Sequence, residues 1–335
     1  MRTPALILLF ISLIIISSCK PDPKKMMFTG ETQGTYYAIT YFDKEGRDFQ
    51  PAIDSILHKF DLSVSMWVPE SIISRVNNGD STVVPDEWFT DIYRKAKAVS
   101  EKTGGAFDFT VGPLVNAWGF GFKGKIKMDQ AKVDSLMDYV DYRKVTLDES
   151  GRITRPAGFK FDFNAIAQGY AVDLLGNYLK SQGIENYLVD IGGEVLGKGQ
   201  KPDGSPWIVG IENPAADSIS ERNVSTKVRL SNMAVSTSGN YRKYRIENGV
   251  RYSHTIDPHT GYPVTHSLLS VTVLAPDCAT ADAFATSFMV MGLEKSKAFI
   301  EKNPGLEAFF IYSEENSIYS TYATKGFGSI IVQEQ

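Results

Sequence analysis

Apolar positions along this chain recur at two spacings, and the switches between them mark its elements. From Gln50 to Phe60 they fall at Ile53, Ile56, Leu57 and Phe60, one face of a helix. Asp86 to Thr103 reads as a second helix, stopped by Gly104-Gly105. Gln168 to Gln182 places Ala171, Leu174, Leu175 and Leu179 on one side and ends at Gly183, a C-terminal stop. Met128 to Met137, Ala279 to Met291 and Glu294 to Lys302 are also helical. Phe28 to Tyr41 contains the aromatic, β-rich run Thr35-Tyr-Tyr-Ala-Ile-Thr-Tyr41 and predicts a strand. Further strands are predicted at Val145 to Leu147, Asn186 to Ile191, Trp207 to Ile211, Met233 to Val235, Leu268 to Leu274, Leu306 to Tyr312 and Ile318 to Ala323. Helices and strands interleave without a strict βαβ period, so the expected class is α+β, with mixed sheets and packed helices. No stretch after residue 25 is long and polar enough to separate domains, so residues 28–335 are expected to form one unit.

The N-terminus carries a different pattern. Met1-Arg2 precedes the apolar run Ala5 to Ile16, which ends in Ser17-Ser18-Cys19. A basic start, a short apolar core and small residues before a break describe an export signal. The run falls short of the roughly 20 apolar residues that a spanning helix needs. Ile16-Ser-Ser-Cys19 resembles the bacterial lipobox, which implies that residues 1–18 are removed and that Cys19 becomes the lipidated first residue. Residues 19–27 then read as a polar, Pro-stiffened tether. The expected location is outside the cytoplasm, anchored by lipid to a bacterial membrane and facing the periplasm or cell exterior.

Composition changes this picture only by exclusion. Apolar content of 43% and charged content of 22% are ordinary for a globular chain with a sizeable core. There are two cysteines, Cys19 and Cys278, so cysteine clusters for zinc or iron–sulfur are excluded by count. Lipidation of Cys19 would also leave Cys278 without a disulfide partner. A net charge of −4 argues against a general nucleic-acid binder.

The candidate chemistry lies in glycine-, Asp- and Thr-rich junctions. Asp282 and Thr286 are four apart on a predicted helix, so their oxygens share a face. Hard oxygen ligands suit Mg²⁺. On spacing alone, a helix first turn that favours Asp and Thr is the simpler reading. His254 and His259 flank an Asp-Pro turn with no third ligand nearby, which makes a poor zinc site. Gly104-Gly105, Gly192-Gly193 and Thr237-Ser-Gly239 offer backbone N–H groups to a phosphate, though none is a Walker A or GxGxxG loop. Trp67, Phe107, Trp118, Phe120 and Tyr252 either stack a planar ring or pack a core.

Taken together these segments resemble the ApbE family of FAD:protein FMN transferases. The resemblance rests on Gly105-Ala-Phe-Asp-x-Thr-Val-Gly-Pro-Leu-Val-Asn-x-Trp-Gly-Phe-Gly121, Ile166-Ala-x-Gly-Tyr-Ala-Val-Asp173, Ile191-Gly-Gly193, Thr237-Ser-Gly239 and His254-Thr-Ile-Asp-Pro-x-Thr-Gly-Tyr-Pro263, in this order from about Phe28 to Ile331. It implies an ApbE-like two-lobed single unit that takes FAD as substrate and Mg²⁺ as cofactor. The FMN half would move to a Ser or Thr of an acceptor protein, with release of AMP. By resemblance Asp282, Thr286 and the backbone carbonyl of Ala165 hold the metal. Gln33, Trp67, Ala106, Phe107, Asp108, Asp162, Gln168 and Ser253 contact FAD. Family acceptors include subunits of membrane redox pumps. Two positions depart from the pattern: Gln168 stands where the family often has Lys, and Trp67 where its transferases often have Tyr.

The mechanism this suggests is attack by the acceptor hydroxyl on the phosphorus at the riboflavin side. His254 is the candidate base, since an imidazole titrates near neutrality, with Asp282 as the alternative. Two other functions use the same residues: an FAD diphosphatase giving FMN and AMP, and a non-catalytic flavin-binding lipoprotein. Mere ring binding does not need Asp282 and Thr286.

Overall fold

The computed structural model describes residues 22–121, 126–148, 151–212, 224–240, 244–247, 250–314 and 317–333. The expected export signal over residues 1–18 and Cys19 lie outside them. In chain order the elements begin with β1 (Lys24–Thr32), β2 (Thr35–Asp43), α1 (Gln50–Val64), α2 (Ile72–Asn77), α3 (Glu87–Lys102), α4 (Gly112–Ala117) and α5 (Gln130–Met137). Next come β3 (Thr146–Leu147), β4 (Ile153–Thr154), α6 (Ala167–Ser181), β5 (Tyr187–Ile191), β6 (Glu194–Lys198), β7 (Trp207–Glu212), β8 (Val224–Leu230) and β9 (Met233–Gly239). The chain continues with β10 (Tyr244–Glu247), β11 (Val250–Ser253), β12 (Leu268–Ala275), α7 (Cys278–Met291), α8 (Leu293–Lys302), β13 (Glu307–Glu314), β14 (Ser317–Ala323) and α9 (Lys325–Ile330).

Eight strands form one sheet in the order β1-β2-β5-β6-β9-β12-β13-β14. Every neighbouring pair is antiparallel. Both faces are covered, and β13 shows how. Ala308 and Phe310 join the core beneath α1, α3, α6 and α7, whereas Phe309 and Ile311 point to the other face. There they meet Trp207 and Ile211 of β7, Val228 and Leu230 of β8, and Phe327 of α9. A strand buried on both faces reads as an unbroken apolar run, not an alternation. A third, small cluster joins Leu114 and Trp118 of α4 and its C-terminus to Val133 of α5, Val140 and Ile256, forming a minor lobe against one end of the sheet.

The helix predictions hold to within a few residues. Asp86 caps α3, its side chain accepting from Phe89 N–H at 2.8 Å. Gly183 takes φ +80° just past the end of α6. The predicted strand from Phe28 to Tyr41 is instead two strands. A two-residue turn at Gln33 (φ +51°) and Gly34 (φ +74°) pairs Thr32 with Thr35. Two successive positive φ values match the twist of a tight hairpin. Among the described residues, no helix is long and apolar enough to cross a membrane.

Candidate active site

A cleft of about 1210 Å³ opens where the sheet, α6, α7 and the 103–120 segment converge. It is lined by Gln33, Trp67, Ala106, Phe107, Asp108, Asp162, Ala165, Gln168, His254, Asp282 and Thr286, residues spread over most of the chain. Ser253 is not among its lining residues. Ser253 is buried, and its Oγ accepts from Thr255 N–H at 3.0 Å, so it shapes the turn that presents His254.

The floor is the crossing of α6 and α7. Gly169 lets the two helices touch: a Cβ there would lie 2.4 Å from the Cys278 carbonyl oxygen. Close to this contact, Gly169 N–H donates to Asp282 Oδ2 at 3.1 Å. The bonds that tie α6 to the turn before it run from Ala167 N–H to the Phe163 carbonyl at 2.8 Å and from Tyr170 N–H to the Ile166 carbonyl at 3.0 Å. The carbonyl of Ala165, one residue earlier, accepts no backbone hydrogen bond among the described residues. The N-terminus of a fifteen-residue helix, an unspent carbonyl and a carboxylate therefore meet in one place. One helical turn after Asp282, Thr286 Oγ1 lies 3.2 Å from Ser238 Oγ of β9.

Two carboxylates fix the N-terminal turn of α7 at this crossing. Asp173 of α6 accepts from Cys278 N–H at 2.8 Å and Ala279 N–H at 2.9 Å, capping α7. Asp277 adds bonds from Thr280 N–H at 3.1 Å and Thr280 Oγ1 at 2.8 Å. Burial pushes the Asp173 carboxyl up to about 7 despite those two N–H donors.

The electrostatics of the floor favour a cation. Burial pushes Asp282 up to about 7, offset in part by the Gly169 N–H and the Ser236 hydroxyl. Its neighbour Glu194, at the start of β6, is driven well above the ordinary carboxylate range by burial and then by the Asp282 charge. Glu194 also accepts from Ser236 Oγ at 3.3 Å. Asp162 is raised by burial, with Asn164 N–H opposing at 3.0 Å. A cleft crowded with costly carboxylates and supplied with an α6 N-terminus suits an anion bridged by a divalent ion.

The walls are less uniform. The Asp108 carboxylate is committed to the fold: Oδ1 accepts from Thr110 N–H at 2.8 Å and Thr110 Oγ1 at 2.6 Å, and Oδ2 from Tyr142 N–H at 3.0 Å. A ligand beside it would meet backbone and the remaining lone pairs. Gln33 holds an αL backbone, and its buried Nε2 has no hydrogen-bond partner. A strained residue with an unmet donor at a cleft is the mark of a group kept for a ligand. Trp67 is 67% exposed at the rim. The His254 ring sits edge-on to Phe120, 6.4 Å between centroids. Trp118 turns its Nε1 to the Gly261 carbonyl at 2.8 Å and belongs to the minor lobe. His259 bridges Asp257 and the Gly104 carbonyl, so it braces a loop. The side chain of Tyr252 is outside the described residues.

Lining residues not singled out from sequence as site residues include Tyr36, Asp190 and Glu194. Asp190 Oδ1 accepts from Gly193 N–H at 2.9 Å and Oδ2 from Tyr36 Oη at 3.2 Å. The Gly192-Gly193 turn was the available signal for Asp190 and Glu194, which flank it.

An antiparallel α+β unit with a cleft lined by oxygen donors and a helix N-terminus is an architecture suited to a phosphate-bearing ligand. The chain belongs to the ApbE family, which it matches over residues 33–310. It is 35% identical over 325 residues to an FAD:protein FMN transferase of Vibrio cholerae, covering 94% of this chain and 96% of that one. The structure of the Vibrio cholerae flavin transferase ApbE superposes with a TM-score of 0.82 at 34% identity, covering 92% of this chain and all of the other. The apo flavinyl transferase ApbE of Pseudomonas stutzeri gives 0.83 at 34% identity, covering 92% and 97%.

Proposed function

We propose that this protein is a Mg²⁺-dependent FAD:protein FMN transferase. It moves the FMN half of FAD to a Ser or Thr hydroxyl of an exported acceptor and releases AMP. The observation that carries this reading is the junction of Asp282, the unspent Ala165 carbonyl and the α6 N-terminus in one cleft. Asp282, Thr286 and Ala165 offer oxygen only, the donor set that Mg²⁺ prefers. When bound, the ion would withdraw charge from the diphosphate and ease departure of AMP.

The protein's own groups supply the rest. The α6 N-terminus and Gln168 face the diphosphate, and Gln33 Nε2 provides an unspent donor. Gln168 brings no charge, so more of the neutralisation falls on backbone dipoles and the cation site. Trp67, Phe107 and Phe120 line the cleft and supply aromatic surface for a planar ligand. His254 takes the proton of the acceptor hydroxyl as its oxygen bonds to the phosphorus on the riboflavin side. The bond from that phosphorus to the bridging oxygen breaks, and AMP leaves with the oxygen. Positioning supplies most of the remaining rate.

The test is incubation with FAD, Mg²⁺ and a threonine-bearing acceptor, followed by mass spectrometry. Acceptor carrying FMN and an equal amount of AMP is the expected result. Free FMN alone at saturating acceptor would make the protein an FAD diphosphatase. Trp67→Asn should open the rim and raise free FMN relative to labelled acceptor in that assay, because transfer competes with water for one electrophile. An unchanged ratio would remove Trp67 from nucleophile choice.

The reading places the enzyme outside the cytoplasm on a lipid anchor at Cys19, among membrane redox-pump subunits as acceptors. It is supported by the Ile16-Ser-Ser-Cys19 sequence. Diacyl or triacyl anchoring is stable where a single chain is not. Cys19→Ala should therefore appear as unprocessed or soluble protein on membrane fractionation. Normally processed, fully membrane-bound variant would sink the anchor.

A further inference from the structure

The cleft has a second side that carries none of the residues assigned above to FAD, and it is built from strand β7. Residues 208–212 line the cleft without a break, and among the described residues none of β8 lines it. A strand that turned one face to the cleft would show alternate residues only. The unbroken run means that β7 presents its edge, the one opposite β8.

The backbone polarity of that edge follows from the far side of the hairpin. Val332 N–H donates to the Lys227 carbonyl at 2.8 Å, beside the Val228–Ile331 bridge. Lys227 therefore directs its N–H and C=O away from β7. In an antiparallel ladder the residue opposite shares that outward sense. Lys227 pairs with Gly210, and Arg229 with Ile208, in regular register. Ile208 and Gly210 thus aim their N–H and C=O groups at the cleft. Among the described residues neither makes a backbone hydrogen bond outside the β7–β8 pair. Both are exposed, Ile208 at 43%. Gly210 carries no side chain to hold another backbone off.

Opposed residues of a ladder share a face, so exposed Arg229 and Lys227 stand beside Ile208 and Gly210. The opposite face, with Trp207, Ile211, Val228 and Leu230, is sealed in the core. The edge is therefore polar along its backbone, with Lys227 and Arg229 on the same face of the hairpin, Arg229 Nη1 also donating to the Ile331 carbonyl at 3.1 Å.

We propose that the acceptor protein docks by strand addition: an extended, acidic segment bearing the reactive Ser or Thr pairs with the outward edge of β7 at Ile208 and Gly210, its carboxylates beside Lys227 and Arg229. This rests on the transferase reading above, which requires a protein segment to enter this same cleft. Strand addition supplies sequence-tolerant affinity through main-chain bonds, while the flanking charges select the segment. It also delivers the hydroxyl in a fixed register, since alternate side chains of an added strand point to one face.

The test uses the full-length enzyme with FAD and Mg²⁺ and an array of short Thr-bearing peptides, acidic, neutral and basic. Acidic peptides should be flavinylated in preference. For the best peptide, Ile208→Pro, which deletes one outward N–H at an edge position, should raise the acceptor KM at least tenfold. FMN release from FAD without acceptor should stay unchanged. Lys227→Glu with Arg229→Glu should reverse the charge preference of the array. Should Ile208→Pro fold poorly, amide hydrogen exchange on the wild type decides. Saturating Thr-to-Ala peptide should protect the Ile208 and Gly210 amides. Labelled peptide without such protection, or an unmoved KM in folded Ile208→Pro, overturns strand addition alone. FMN release with no peptide labelled overturns the transferase reading and the docking with it.

Discussion

Asp282→Asn is expected to abolish FMN transfer while making the cation-free protein more stable above neutral pH. Burial has raised the folded-state carboxyl to about 7, from an unfolded value near 3.8. A raised carboxyl gives its full stability below the unfolded pKa. That contribution is lost as pH rises toward 7, where the folded state must hold a buried charge. The loss amounts to a few kcal/mol in order of magnitude. Asparagine carries no such charge, so the cation-free variant should melt several degrees higher at pH 8 and about equally with wild type at pH 4. Saturating Mg²⁺ should narrow or reverse the gap, because the ion stabilises only the folded wild type. Below pH 7 the apparent affinity of wild type for Mg²⁺ should weaken by about tenfold per pH unit, as one proton competes for the site. Turnover should fall by orders of magnitude in the variant. Retained turnover, or a cation-free melting point that drops at pH 8, would place the ion elsewhere.

The same residue shows how far the sequence reaches. Asp282 and Thr286 were visible as a one-face pair because helical spacing is local. The Ala165 carbonyl was not, because a backbone oxygen has no residue type; it came from resemblance, and its availability depends on where α6 starts its hydrogen-bond ladder. The helices were legible through their punctuation: Asp86 before α3, Gly183 after α6. The β1–β2 turn was hidden because Gln33 is a poor advertisement for an αL position, which sequence patterns assign to Gly or Asn. Its conformation is explicable as part of the site, where local rules yield to a ligand. Strand β6 was missed for two reasons. It opens with Glu194, a residue that reads as surface, and it includes Gly197, whose missing side chain makes room for Leu230 and Trp207. Strand β8 was missed too, although Lys227-Val-Arg-Leu230 alternates and the structure buries Val228 and Leu230. Helix α9, rich in glycine, has little propensity of its own. Its first turn is held by Glu307, which accepts from Gly326 N–H at 3.0 Å, a partner nineteen residues away.

Gly169→Ala is the sharpest test of the crossing that builds the floor, because two effects predict opposite signs. Helix propensity alone says that alanine in α6 should stabilise by about 1 kcal/mol over glycine. Contact says the reverse. The new methyl would meet the Cys278 carbonyl carbon at 2.7 Å and the Asp282 Cβ at 2.8 Å, as well as the oxygen at 2.4 Å. Two of these are backbone atoms, so no rotamer change relieves the overlap and α7 must move away. Overpacking of this kind costs about 1–3 kcal/mol, which outweighs propensity. The movement also stretches the Gly169 N–H bond to Asp282 and pulls the carboxylate from the Ala165 carbonyl. We therefore expect a lower melting temperature together with weaker Mg²⁺ binding and slower transfer. Melting curves with and without Mg²⁺ separate the two effects: the deficit relative to wild type should widen when the ion is added. A variant that melts higher than wild type would mean that the helices are not in contact at Gly169. The close approach that places Asp282 over the α6 N-terminus would then fall with it.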